Sequence, residues 1–219
     1  MKLLAKMAIT LALIFASTFV LIKMSGILTI EDIKQGFENL RSGPTYIIGA
    51  AVVALLFADL FIAVPDMTVI LLAGYALGFP TALAFSFAGV FLAAVTGYTL
   101  SRIFGDKVLR KIEPDEKSRL QTYALFQRHG MWVLVLSRAM PLLPEVSACL
   151  SGACKMPLHR FLLGWSLGTI PYLVVVTYAG SISDVDKPSP AIFTAIAVTG
   201  MLWGAWAMLL RKARVSSFK

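Results

Sequence analysis

The stretch MWVLVLSRAMPLLPEVSACLSGA (131–153) is an apolar run broken by two ionisable residues, Arg138 and Glu145, seven apart, with Glu145 directly behind Pro144. An earlier run has the same form. In YIIGAAVVALLFADLFIAVPDMTVILLAGYALGF (46–79), Asp59 and Asp66 are seven apart and Asp66 follows Pro65. A charge at the centre of a bilayer costs about 2.5–3.5 kcal/mol on insertion scales, so such residues mark substrate, ion or proton paths. Two matching sets predict a site at the junction of two repeats.

The rest of the chain agrees with a membrane setting. Hydrophobic residues make up 58% of the 219 and charged residues 15%, where a soluble domain carries about a quarter charged. The apolar runs are long and do not alternate, which argues against a β-barrel and predicts helices. The net charge is +8. The basic residues flank apolar segments, so they read as a topology signal and a contact for anionic headgroups rather than a nucleic-acid surface. Cys149 and Cys154 sit in one apolar segment and form neither a disulfide framework nor a metal signature. There is no nucleotide-binding loop, zinc motif or Ser/His/Asp arrangement, so no enzyme, metal or cofactor is expected. His129 and His159 fall near segment ends and suit interfacial roles.

Outward from the two broken runs, Met7–Ile22 reads as a membrane helix after Lys2 and Lys6; a signal peptide is the competing reading. Thr29–Leu40, with Thr29 as cap and Ile30, Ile33, Phe37 and Leu40 on one face, is expected on the membrane surface. Pro65 and Pro144 predict that each broken run folds as two half-segments entering and leaving one side. Thr81–Leu100, Phe161–Tyr178 and Ala191–Leu210 are expected to span. Arg102–Gly130 is the main polar loop, with a helix opening at Pro114-Asp115-Glu116 and ending at Gly130. Its basic residues, with Lys2, Lys6 and the Arg211–Lys219 tail, place that loop and both termini in the cytoplasm.

The expected fold is thus all-α and membrane-integral: about four spanning helices plus two oppositely oriented re-entrant hairpins forming an inverted repeat. Residues 1–44 hold the first membrane helix and the interfacial helix. A core occupies 45–180, its halves at 45–100 and 131–180 joined by the cytoplasmic loop 101–130, and 181–219 holds a last helix and basic tail. The halves align as Asp59, Pro65-Asp66, Gly74, Pro80 against Arg138, Pro144-Glu145, Gly152, Pro157, with an offset of 79 at the Pro-acid step. Asp59, Asp66, Arg138 and Glu145 are the candidate substrate or proton path. Pro65, Gly74, Pro141, Pro144 and Gly152 are the breaks and close contacts that build it. Arg138 suits a phosphate or a carboxylate. A purely structural ion pair is the competing reading of the quartet.

At these residues the chain resembles the DedA family of SNARE-associated, VTT-domain membrane proteins. Arg138-Ala139-Met140-Pro141, with Gly152 and Phe161 downstream, is similar to that family's Arg-x-x-Pro stretch. Pro65-Asp66 with Ala73-Gly74 is similar to its first-half acidic segment. Bacterial DedA proteins often carry a second Arg six residues after the first; here that position is Pro144, which points to the broader VTT branch. The resemblance implies movement of phospholipid or a polyprenyl phosphate between leaflets, with protons as a coupling ion, in a bacterial inner membrane. A proton- or ion-coupled small-solute transporter and a non-transporting scaffold or assembly factor are the alternatives.

Overall fold

The computed structural model of the chain describes residues 44–183, apart from 63, 113–114 and 140–142, together with positions 13, 17, 20, 197, 200 and 204. Pro141 and, but for those single positions, the expected segments Met7–Ile22, Thr29–Leu40 and Ala191–Leu210 lie outside the described residues. Among described residues 44–183, six α-helices follow one another: α1 (Thr45–Ile62), α2 (Asp66–Leu77), α3 (Phe79–Ile112), α4 (Glu116–Leu136), α5 (Leu143–Ala153) and α6 (Leu158–Ser181), with a 3-10 turn at Ser137–Ala139 between α4 and α5. No strand occurs among the described residues.

Both broken runs are broken where their prolines fall. α1 stops before Val64-Pro65, because the residue before a proline is pushed out of helical geometry. Pro65 then caps α2 and accepts the N–H groups of Thr68 and Val69 at 3.0 and 3.2 Å, and Asp66 sits in the first turn. Glu145 has the same place in α5. A carboxylate there is favoured by the positive end of the helix dipole. α2 and α5 have 12 and 11 residues, about 18 and 17 Å of helix, too short to cross a hydrocarbon core of about 30 Å.

The polar stretch departs from expectation in part. The helix expected to open at Pro114-Asp115-Glu116 is present as α4 from Glu116, but it runs through Gly130 to Leu136, and the residues before it are helix as well, since α3 runs 34 residues, well past Leu100. The basic residues of this stretch are good helix formers, and no proline lies between Pro80 and Pro114. Gly130 is buried and does not end α4, because the apolar run behind it continues the helix. Phe79–Gly105 and Leu158–Ser181 are long and apolar enough to cross a membrane.

Contacts between helices fix their directions. Going along α1 and α3 together, Gly49 meets Phe85, Val53 and Leu56 meet Gly89, and Leu60 meets Gly97, so the two helices are parallel. α4 and α6 are parallel in the same way, with Met131 and Leu134 against Gly164 and Val135 against Gly168. α3 and α6 are antiparallel: Phe87 and Phe91 pack on Trp165, and further along α3 Tyr98 stacks on Phe161 at 4.6 Å. α2 packs mainly on α6, and α5 mainly on α3. Each short helix therefore leans on the long helix of the other half. α6 buries Phe161, Trp165, Thr169, Leu173 and Val176 and exposes Leu163, Leu167, Ile170, Val174 and Tyr178, an inward and an outward stripe at helical spacing.

The two cross-packings are backbone-close. A Cβ added to Gly74 would run into the Thr177 carbonyl of α6, and one added to Gly152 into the Tyr98 carbonyl of α3. Both obstacles are main chain and cannot rotate away. Gly74→Ala and Gly152→Ala should each destabilise the fold by about 1–3 kcal/mol, the usual range for overpacking. Gly200→Ala, where nothing lies within 4 Å of the added carbon, should be neutral or mildly stabilising. Folded yield and unfolding midpoint in detergent measure the difference.

Candidate functional site

The four ionisable residues of the two broken runs come together, and they pair across the halves. Nη1 of Arg138 donates to Oδ2 of Asp66 at 2.8 Å. Asp59 and Glu145 lie within hydrogen-bonding reach of each other. Two carboxyl groups can share such a bond only with a proton between them. Asp59 also accepts the backbone N–H of Val64, so its carboxyl group satisfies a donor freed by the break before Pro65. Each bond thus joins one residue of the first run to one of the second.

Burial differs within the quartet. The Arg138 side chain is 4% exposed and that of Asp66 26%, and Asp59 is buried. Arg138 is held from three sides. Besides Asp66, its Nε donates a long 3.4 Å bond to Thr169 Oγ1, and its guanidinium lies over the Tyr172 ring at 5.0 Å. The carboxylate, the hydroxyl and the ring face fix the plane of the fork. Thr169 and Tyr172 both come from α6. Neither is among the candidates read from the sequence; the helical spacing that sets both beside the buried stripe of α6 is the signal that could have found them.

Asp59, Arg138 and Glu145 also line a common cavity with Pro144, Leu56, Ala148 and Trp165. Its volume is about 20 Å³, room for one water molecule. Asp66 bonds Arg138 directly, while Asp59 and Glu145 share its cavity. Pro65 and Pro144 sit at the starts of α2 and α5, and Gly74 and Gly152 at the crossings that hold those helices in place. Cys149 and Cys154 are free and buried. Among the described residues no group of His, Cys, Asp and Glu is placed to hold a metal.

A second polar knot ties α3 to the link between α5 and α6. Tyr98 Oη donates to the Met156 carbonyl at 2.5 Å, and Arg102 Nη1 donates to both Tyr98 Oη and the Met156 carbonyl at 2.7 and 2.8 Å.

The family profile described as the VTT domain matches residues 64–182. The Transmembrane protein 41 homolog of Drosophila melanogaster is 28% identical over 170 residues, which cover 77% of this chain and 53% of the fly protein. Protein DedA of Escherichia coli strain K12, like that of O157:H7, is 25% identical over 134 residues, covering 55% of this chain and 60% of its own length. The chain belongs to the DedA, or VTT-domain, family of membrane proteins. It spans between about half and three fifths of the length of these curated relatives. No solved structure matches it.

The pairing is open to a direct check. In a background with Cys149→Ser and Cys154→Ser, Asp59→Cys combined with Glu145→Cys should be joined by a short bis-thiol reagent. Cleavage at a protease site inserted at 113–115 should then leave the two halves linked on a gel. Two separate halves would show that the runs do not meet there.

Proposed function

We propose that this protein moves an anionic lipid, a phospholipid or a polyprenyl phosphate, between the leaflets of its membrane, and that Asp59, Asp66, Arg138 and Glu145 form the path. The observation that carries this reading is the Arg138–Asp66 bond across the two halves, with Asp59 and Glu145 lining the cavity beside it. Four costly ionisable groups are concentrated where two broken segments face each other, a placement that transporters use for substrate and coupling ions. Arg138 is a forked cation suited to a phosphodiester, and Asp66 holds the place such an anion would take.

The reading includes the architecture. α2 and α5 are the returning arms of two re-entrant hairpins, and α1–α3 and α4–α6 are inverted repeats within a core at 45–180. Parallel α1 and α3, parallel α4 and α6, and antiparallel α3 and α6 support it: two parallel helices with a short one between them require the chain to turn back. The ends of the bundle support an orientation. Arg102, Lys107, Arg128, Lys155 and Arg160 stand toward one end, whereas 44–46, 78–81 and 178–183 at the other end hold no charge. The basic end is the cytoplasmic one under the positive-inside rule. In the proposed bacterial inner membrane, residues 101–130 should react with impermeant label only from the cytoplasmic side.

With room for one water, the cavity is closed to a headgroup in this conformation. Lipid passage then needs the cross-packings to part and Arg138 to exchange Asp66 for the phosphate. The same cavity size favours a second reading, a proton-coupled carrier of a small solute, in which the Asp59–Glu145 pair hands on protons.

Leaflet exchange of fluorescent lipid in liposomes holding the purified protein separates these readings. The lipid reading expects faster bleaching than in empty liposomes. Asp66 keeps some water contact, so Arg138→Ala and Arg138→Lys should fold and insert. Both should slow transfer by about 10- to 100-fold, equivalent to losing a charge-assisted contact of about 1.5–3 kcal/mol. Asp66→Asn and Glu145→Gln should alter the pH profile of transfer. Normal transfer by well-folded Arg138→Ala protein would sink the site assignment, and no transfer above empty liposomes would sink the lipid reading.

A further inference from the structure

Lys155 occupies a backbone position made for glycine. α5 ends in a Schellman motif: the Met156 N–H donates to the Ser151 carbonyl at 3.0 Å and the Lys155 N–H to the Gly152 carbonyl at 2.9 Å. The residue in the left-handed turn of that motif is usually Gly, which adopts it freely. Here it is Lys155, with φ 54, the one non-glycine residue with positive φ among those described. The corresponding link after α2 uses Gly78, with φ 74. A lysine kept where glycine fits better argues for what its side chain does, and that side chain is exposed.

Its surroundings are basic. His159 and Arg160, in the first turn of α6, are exposed, and so is Arg102. Arg102 is clamped to this link by the Met156 carbonyl and Tyr98. Among the described residues no ion pair neutralises Lys155 or Arg160. The apolar stretch of α3 ends at Gly105 and that of α6 begins at Leu158, and Gly105 packs on Ala153. The link therefore lies where both apolar stretches end, the level at which a membrane's headgroups would meet them.

We propose that Lys155 and Arg160, with the clamped Arg102 beside them, form a docking site for the headgroup of an anionic membrane lipid at this rim. The chemistry is that of a phosphodiester held by ammonium and guanidinium groups. A lipid is the source because the cations border the apolar faces of α3 and α6, against which its chains would lie. The site is separate from the buried quartet and does not rest on lipid movement.

The test uses the full chain in neutral detergent, titrated with short-chain phosphatidylglycerol and read by native mass spectrometry. Parallel arms use phosphatidylcholine of the same chain length and inorganic phosphate. Phosphatidylglycerol should be retained in preference to both. Lys155→Gly and Arg160→Gln should each weaken retention about fivefold, the effect of one surface charge on an anionic lipid, while Lys117→Gln, on exposed α4 surface, should not. The unfolding midpoint of Lys155→Gly should equal or exceed that of the parent, since glycine suits the turn. Equal retention of the two lipids, equal weakening by Lys117→Gln, or displacement by phosphate at matching concentration would each overturn the proposal. So would a lower midpoint for Lys155→Gly, which would assign its side chain to the fold.

Discussion

Inside a membrane an ionised side chain has no solvent to fall back on, so it must find its partner within the protein. The Arg138–Asp66 bond meets that demand over a sequence separation of 72 residues. Much else in the structure follows from keeping it. Asp66 needs the N-terminus of α2, and α2 needs Pro65 to start it and a close seat on α6 to hold it. Arg138 needs the turn after α4, and α6 supplies the hydroxyl and ring that orient its fork. Asp59 and Glu145, one from each run, lie beside this pair in the same small cavity.

The seat of each short helix is set by glycine. Gly74 lets the α2 backbone touch that of α6, and Gly152 lets α5 touch α3. In lipid, where exclusion of water gives helices little reason to associate, such close contact and its dispersion energy supply the association. Each half is thereby fastened to the other by its shortest element. The long helices α3 and α6 act as the frame, and both carry exposed apolar side chains, such as Leu92 and Ile103 on α3 and Leu163 and Leu167 on α6.

Much of this was legible in the chain because cost and punctuation are local. Asp59, Asp66, Arg138 and Glu145 stand out against apolar runs, and Pro65 and Pro144 mark the breaks without reference to anything distant. The pairing was not legible. Which carboxyl group meets Arg138 depends on how α2 seats against α6, and the sequence places all three acids equally well. Thr169 escaped notice because a hydroxyl on an apolar helix looks the same whether or not a guanidinium lies beside it. The residues from Arg102 to Pro114 read as loop because charge marks exposure to water, yet Arg and Lys are good helix formers and α3 runs on to Ile112.

The cross-pairing also imposes an order on biogenesis. Ribosomes deliver Asp59 and Asp66 first, and the only buried cation among the four follows 72 residues later. At about 5–20 residues per second, that leaves a gap on the order of ten seconds. For that interval the early half holds two acids and no base. The Arg138–Asp66 bond can form only once α4 and its arginine have been made. The polar link between the two halves is thus a late step of assembly, however early α2 takes its place.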